Sequence, residues 1–322
     1  YTSDTIWDIR KLPNRLIVLG GGPIGSELTQ CFARLGSQVT LIEMLPRILF
    51  REDPEISQLV KSKFEKERIN VLTGHKAKNF RREGERKFLV CETQDQTVEF
   101  EFDELLVAVG RKANIKNYGL NEIGVKLTKS GNIEVNDYLQ SSVPSIFACG
   151  DIAGPYQFTH TAAHQAWYAS VNALFGPYKK FKVDYSVIPW ATFTEPEIAR
   201  VGLNETDAKA ANVEYEISTF DISELDRAIA DEEAHGLIKV LTVPGKDQIL
   251  GVTIAGNHAG DLITEYISAM KYGIGLNKIL GTIHIYPTMA EANKYVAGVW
   301  KKAHAPKLVL NLAKKFHIWR RG

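Results

Sequence analysis

Six consecutive residues, Gly20-Gly21-Gly22-Pro23-Ile24-Gly25, satisfy the pattern G-x-G-x-x-G. Glycines at this spacing let a backbone turn tightly and let a diphosphate come close to bare N–H groups. Gly20 permits the turn, Gly22 the approach, and Gly25 the close packing of a helix on a strand, with Ile24 in the same turn. The pattern is weak by itself and gains force from its surroundings. RLIVLG (15–20) reads as a buried strand and PIGSELTQCFARLG (23–36) as a helix. The N-terminus of such a helix attracts phosphate by about 0.3–2 kcal/mol. Glu43 closes a second strand, QVTLIE (38–43), at the place where a carboxylate grips the adenine-ribose hydroxyls. A 2′-phosphate there would meet a like charge, so NADH is favoured over NADPH, a preference that nearby Arg47 softens. Glu27, two residues past Gly25, serves either the helix dipole or a nicotinamide ring, and the residues alone leave both open.

The elements that must hold these residues follow from periodicity. Asp53-Pro54 supplies an N-cap and a first-turn proline for a helix running to about Glu67, and INVLTG (69–74) reads as a third strand. The β-α-β-α-β order predicts a parallel, doubly wound sheet. From Lys76 to Phe102, three alternating segments separated by Gly84 and by Gln94-Asp95-Gln96 predict an antiparallel meander, after which DELLVAVGR (103–111) returns to the sheet. SIFACGD (145–151) reads as an apolar strand ending in a Gly-Asp turn, and a helix follows from about Phe158 to Phe175. Beyond Val183 the pattern becomes α+β: strand-like VIPWATFT, GLIKVLTV (236–243) and QILGVTIAG (248–256), then helices near 259–272 and 288–301.

The bulk numbers narrow the function classes. With 322 residues and 24% charged side chains, the chain has room for two or three globular domains. A net charge of +1 argues against nucleic acid as the partner. Cys31, Cys91 and Cys149 have neither disulfide-framework nor metal-ligand spacing, and each reads as a small hydrophobe. A reducing, cytoplasmic compartment fits this usage. No apolar run is long enough to span a membrane. His160 and His164 share a helix face but have no evident Cys or carboxylate companion, so no metal site is expected. The opening residues, 1–14, read as a linker from a longer protein.

Four motifs, GGGPIGSELTQCFARLGSQVTLIE (20–43), LLVAVGRKAN (105–114), SIFACGD (145–151) and YPTMAEA (286–292), stand in the order found in one family. Through them the chain resembles the pyridine nucleotide-disulfide oxidoreductases, flavoproteins of the mercuric reductase and dihydrolipoamide dehydrogenase type. The resemblance implies an α/β fold. A Rossmann-like NAD(P)-binding domain (15–118) is followed by the C-terminal part of an FAD-binding domain (119–182), an α+β dimerisation domain (183–300) and a basic tail (301–322). It places Glu27 at the nicotinamide, and Gly110 and Arg111 at the return from the nucleotide domain. Gly150 and Asp151 fall at the flavin's ribityl and phosphate region, and Phe158, Thr159 and His160 at a helix N-terminus facing the isoalloxazine. It implies FAD and NAD as cofactors and a homodimer whose partner subunit contributes Tyr286 and Glu291 to the pocket of a small-molecule acceptor.

Two departures bear on chemistry. The family's Cys-x4-Cys pair and first flavin glycine motif do not occur in these residues, so the chain alone is expected to be inactive in disulfide chemistry. The family's disulfide reductases carry a His-Pro-Thr base where this chain has Tyr286-Pro287-Thr288, and a phenol is a poor base at neutral pH. Mercuric reductases also have Tyr there but end in a cysteine pair, whereas this chain ends KKFHIWRRG. The acceptor, a disulfide, a metal ion or another oxidant, stays open. Between Lys301 and Gly322 there are seven Lys/Arg and no acid. Pro306 opens a helix there with Leu308, Leu312, Phe316 and Trp319 on one side, suited to packing on the dimer or, alternatively, to peripheral contact with an anionic membrane. The rival readings are a membrane-associated NADH:quinone-type flavoenzyme and a non-catalytic NAD-binding module.

Overall fold

A computed structural model describes every residue of the chain except Asp95. The described residues form two compact units, Tyr1–Val109 together with Pro189–Gly322, and Gly110–Ile188.

The first unit begins with β1 (Arg15–Leu19), α1 (Pro23–Arg34), β2 (Gln38–Ile42), α2 (Pro54–Lys66) and β3 (Asn70–Leu72). Leu16, Ile17 and Val18 are all buried, as a central parallel strand covered on both faces requires. After the meander β4 (Lys76–Glu83), β5 (Arg86–Glu92) and β6 (Thr97–Phe102), β7 (Glu104–Val107) re-enters the sheet. The order is β3-β2-β1-β7, with every pairing parallel, while β4-β5-β6 forms a separate antiparallel sheet. Parallel sheet and meander thus match their sequence patterns. Of the expected β5–β6 turn, Asp95 lies outside the described residues.

The same unit resumes with β8 (Pro189–Thr192) after α3 (Thr159–Phe175) of the second unit. It continues through β9 (Glu197–Gly202), α4 (Glu205–Ala210), β10 (Glu216–Asp221), α5 (Asp226–Ala230), β11 (Leu237–Thr242), β12 (Ile249–Gly256), α6 (Ala259–Lys271), α7 (Leu276–Gly281), α8 (Glu291–Ala303) and α9 (Lys307–Arg320). Its five-stranded sheet runs β10-β11-β12-β9-β8, antiparallel throughout. Ile198 and Ala255 from this sheet join Leu16, Val18, Leu41, Ile56, Val60 and Phe64 in one buried core.

Two buried ion clusters reinforce that junction. Lys239, 3% exposed, places its Nζ 2.7 Å from both Asp53 and Glu205 and also bonds Glu55. Arg200 reaches Glu52 (3.5 Å) and Asp207 (3.1 Å) and lies 4.2 Å from the Trp190 ring, whose indole N–H donates to Glu52. Asp53 therefore sits at the N-cap position of α2 without capping it with its side chain. Its carboxylate instead accepts from the N–H and hydroxyl of Thr206 and pairs with Lys239. Burial pushes this carboxyl up, but the Lys239 and backbone hydrogen bonds outweigh burial and hold it below the ordinary aspartate range.

The second unit has little regular structure besides α3. Its cores gather around Val125, Ile133 and Ala148 and around Leu139, Ala169 and Val183. SIFACGD does not form a strand, because only Phe147 finds a bridging partner, Gln140. Cys149 is accordingly half-buried in a loop. Cys91 is buried, which pushes its thiol up. Cys31 departs from expectation: α1 buries Gly25, Ser26, Thr29, Gln30 and Phe32, leaving Cys31 exposed on the other face.

Candidate functional site

The glycine turn between β1 and α1 is built as its sequence suggests, and its three motif glycines differ physically. Gly20 has φ +107°, and a Cβ there would lie 2.5 Å from the Ala108 carbonyl oxygen. A Cβ on Gly25 would meet the Gly20 oxygen at 1.8 Å, so the helix can sit this close to the strand end only without a side chain. Gly22 is neither strained nor crowded: its φ is −73° and nothing lies within 4 Å of an added Cβ. As N-cap of α1 it offers no side-chain cap to the helix N–H groups. Proline at the first helical position removes one donor, and the remainder form a bare, partially positive end. Ile24 lies in the first turn of α1.

Glu43 follows the last residue of β2. Its two carboxylate oxygens accept from the Gly21 and Leu45 N–H groups, each at 2.7 Å, so the carboxylate is fixed against the glycine turn. Glu27 does not serve the helix dipole. Its Oε1 accepts from the Phe193 N–H at 2.8 Å, tying α1 to the end of β8. Burial raises the Glu27 carboxyl above the ordinary range, against the opposing pull of that hydrogen bond. Sequence reasoning missed Phe193, since a backbone donor leaves no mark in residue type. One turn along α1, a cleft of about 300 Å³ is lined by Gln30, Cys31, Arg34, Phe193, Glu195 and His258, among others. Its Arg34 is already paired with Glu67 and Glu195.

In the second unit, Asp151 ends the segment at Gly150, whose φ is +77°. Arg111 bonds the Asp151 carboxylate and donates to the Gln157 carbonyl, so the two candidates flanking the segment are brought together. Gln165, absent from the sequence-based set, fixes this turn by accepting from the Gly150 N–H at 2.6 Å and donating to the Gly154 carbonyl and the Tyr185 hydroxyl. The sequence marks it only as a Gln within the helix that starts near Phe158; its burial and its partners come from the fold. The N-terminus of α3 has Phe158 as a cap without a side-chain hydrogen bond. The Phe158 and His160 rings stack there at 5.2 Å. Thr161, 3% exposed, has a buried hydroxyl without a hydrogen-bond partner among the described residues. An uncapped helix end with an orphaned hydroxyl suits a bound polar group such as part of a flavin.

Glu291 is the first residue of α8, and Tyr286 lies in the loop that precedes it, both in the first unit. Tyr286 is exposed and donates its hydroxyl to Asp226 (2.9 Å), not to Glu291. That bond, together with the nearby negative charges, raises the phenol above its ordinary range. Glu291 is buried, accepts from the Thr288 N–H at 3.3 Å and is approached by the Tyr295 hydroxyl. His284 is held elsewhere, its Nε2 3.2 Å from Glu265 and its Nδ1 3.1 Å from the Thr282 carbonyl, so it does not substitute for a base at position 286. The carboxylates Asp53, Glu55 and Glu205 come close enough to share a cation, but the Lys239 ammonium occupies their centre.

Comparison with known proteins gives the chain's family and fold. Residues 1–166 match the pyridine nucleotide-disulphide oxidoreductase family, and residues 188–297 match the dimerisation domain of the same family. The chain is 36% identical over 305 residues to a mercuric reductase from Lysinibacillus sphaericus, covering 93% of the chain and 56% of that protein. It is also 36% identical over 297 residues to a dihydrolipoyl dehydrogenase from Thermus scotoductus, covering 89% and 64% respectively. The chain thus spans roughly half to two thirds of the length of these relatives. Among solved structures, the HOCl-induced flavoprotein disulfide reductase RclA from Escherichia coli has the same fold, with a TM-score of 0.84 at 23% identity over 93% of this chain and 68% of that one.

Proposed function

Because the chain belongs to the pyridine nucleotide-disulphide oxidoreductase family, we propose that it is the nucleotide-binding and dimerisation part of an FAD-dependent NADH oxidoreductase that works as a homodimer. The observation that carries this reading is Gly22. A glycine required neither by backbone strain nor by packing leaves its side-chain space for a ligand, and a diphosphate on the bare end of α1 is the ligand that fits.

In this reading Gly20, Gly22, Ile24 and Gly25 hold the diphosphate. Glu43, pinned to the turn, takes the ribose hydroxyls with its remaining lone pairs and repels a 2′-phosphate, so NADH is preferred to NADPH. Glu27 is held beside Phe193 at the nicotinamide end of the site. Gly110 and Arg111 lead into the second unit, where Arg111 fixes Asp151, and Gly150 and Asp151 with Phe158, Thr159 and His160 form the flavin-binding part. FAD, when bound, supplies the hydride acceptor and delivers electron pairs onward. Tyr286, kept protonated by the hydrogen bond it donates to Asp226, lines the acceptor pocket as a neutral phenol, not as a base, and Glu291 orders the turn behind it. That assignment favours an acceptor needing no thiol deprotonation at this position, such as a metal ion, over a dithiol.

The test is an anaerobic NADH titration of the whole flavoprotein followed by its visible spectrum. A long-wavelength thiolate–flavin band at the two-electron stage supports a cysteine pair in the electron path. Direct bleaching without that band assigns a plain NADH:acceptor flavoenzyme. A protein that neither carries flavin nor oxidises NADH leaves nucleotide binding alone and refutes the proposal.

A further inference from the structure

The tail helix α9 has a surface that the catalytic reading does not use. None of its residues is buried; Leu308 is 80% exposed and Trp319 76%. At 100° per residue, Leu308, Val309, Leu312, Phe316 and Trp319 fall within an arc of about 100°. Lys315 and Arg320 border that arc on its two sides, and Lys307, Lys314 and Arg321 lie on the far face beside Leu310 and Ile318. No acid occurs between Lys301 and Gly322, which hold seven Lys/Arg, so the rest of the chain carries −6. The helix starts from a fixed root: His304, just past α8, stacks on Trp300 at 4.2 Å and reaches Glu216 at 2.9 Å. Among the described residues no helix is long and apolar enough to cross a membrane.

We propose that α9 is a docking helix for an anionic lipid surface, lying in the plane of the headgroups. The arc is wide enough to sink its aromatic and aliphatic side chains among acyl chains, while the two bordering cations extend up to the headgroups. The choice of lipid over a protein groove follows from the charges. A groove on a second copy of this chain needs a carboxylate placed opposite each cation it covers, whereas a headgroup plane supplies diffuse negative charge on both sides of the arc.

The experiment is cosedimentation of the intact protein with phosphatidylglycerol/phosphatidylcholine vesicles and with pure phosphatidylcholine vesicles, alongside tryptophan emission. The expected result is binding to the anionic vesicles only, with a blue shift that Trp319→Phe removes. Neutralising the two bordering cations (Lys315→Gln with Arg320→Gln) lowers partitioning about 30-fold, at about 1 kcal/mol per cation and 1.4 kcal/mol per tenfold. Raising salt to about 1 M, where screening shortens to about 3 Å, weakens binding. Leu312→Glu abolishes it while leaving nucleotide affinity and melting temperature unchanged. The proposal is overturned if the intact protein ignores anionic vesicles, if Leu312→Glu binds them as well as the parent, or if removing α9 changes the oligomeric state without changing vesicle binding. The last result assigns the helix to a second copy.

Discussion

Replacing Gly22 by alanine separates the two reasons for which a chain keeps a glycine. At φ −73° and ψ −177°, with nothing within 4 Å of the new Cβ, the folded protein accommodates the methyl without strain. Reduced freedom of the unfolded chain then stabilises the variant by about 0.4–1 kcal/mol, a rise of roughly 1–4 °C in melting temperature for a unit of this size. Binding moves the other way. A methyl that holds the diphosphate about 1 Å away forfeits at least one charge-assisted N–H bond, about 1.5–3 kcal/mol, and NADH affinity falls roughly 10- to 150-fold. Gly25→Ala is the control. Its Cβ would sit 1.8 Å from the Gly20 oxygen, so this variant melts lower, by the 1–3 kcal/mol of an overpacked site, as well as binding poorly. NADH fluorescence titration and calorimetric melting on the same preparations read both quantities. If Gly22→Ala binds NADH within about threefold of the parent, or melts several degrees lower, the space above Gly22 is not kept for a diphosphate and the reasoning fails.

Three further outcomes follow from the geometry. Glu43→Ala weakens NADH while shifting the NADPH-to-NADH affinity ratio toward NADPH by about tenfold or more; an unchanged ratio in paired titrations confines Glu43 to supporting the turn. Glu27→Gln melts higher than the parent at pH 7, because burial makes the ionised carboxylate costly, and the advantage disappears as pH falls below the ordinary glutamate value of 4.5, where the parent also protonates. A pH-independent difference in melting temperature rules this out. Lys239→Met strands the buried Asp53 carboxylate and costs about 3–5 kcal/mol, seen as a lower denaturant midpoint. In the parent, the folded-state pKa of Asp53 is depressed, so its stabilisation is present above the ordinary value of 3.8 and is lost as pH falls through the folded value. Lys239→Met should show a shallower acid limb, and an identical limb removes Asp53 from that account.

The glycine turn and the acid beside it were legible because their information is local. A turn, a helix cap and a strand-end acid sit within 24 residues, and each declares itself by residue type and spacing. The meander and the main strands of the last sheet were equally visible as alternation. What stayed hidden depends on distant partners. Nothing near Asp53 announces Lys239, and an N-cap was the natural reading of Asp-Pro. β9 and β10, with α4 and α7, lack the clean alternation or length that marks an element, and pairing with β11 and β12 decides the two strands. SIFACGD has the composition of a strand but only one bridging neighbour. Tyr286 shows the same limit at the site: its position was readable, its partner Asp226 was not.

The discontinuity of the first unit governs the order in which a growing chain can close. Glu52 and Asp53 emerge early in synthesis, but Arg200 and Lys239, which neutralise them, follow only after the whole of Gly110–Ile188. At about 5–20 residues per second, Lys239 trails Asp53 by roughly 10–40 s. Until Arg200 and then Lys239 emerge, the nascent N-terminal region carries acids bound for the interior without their partners, and its core waits for Ile198 and, later still, Ala255 of β12. A polypeptide stopped before Pro189 therefore bears every glycine of the β1–α1 turn while the core beneath it still lacks its two buried residues from the later sheet, which makes translation past β12 the step that completes that core.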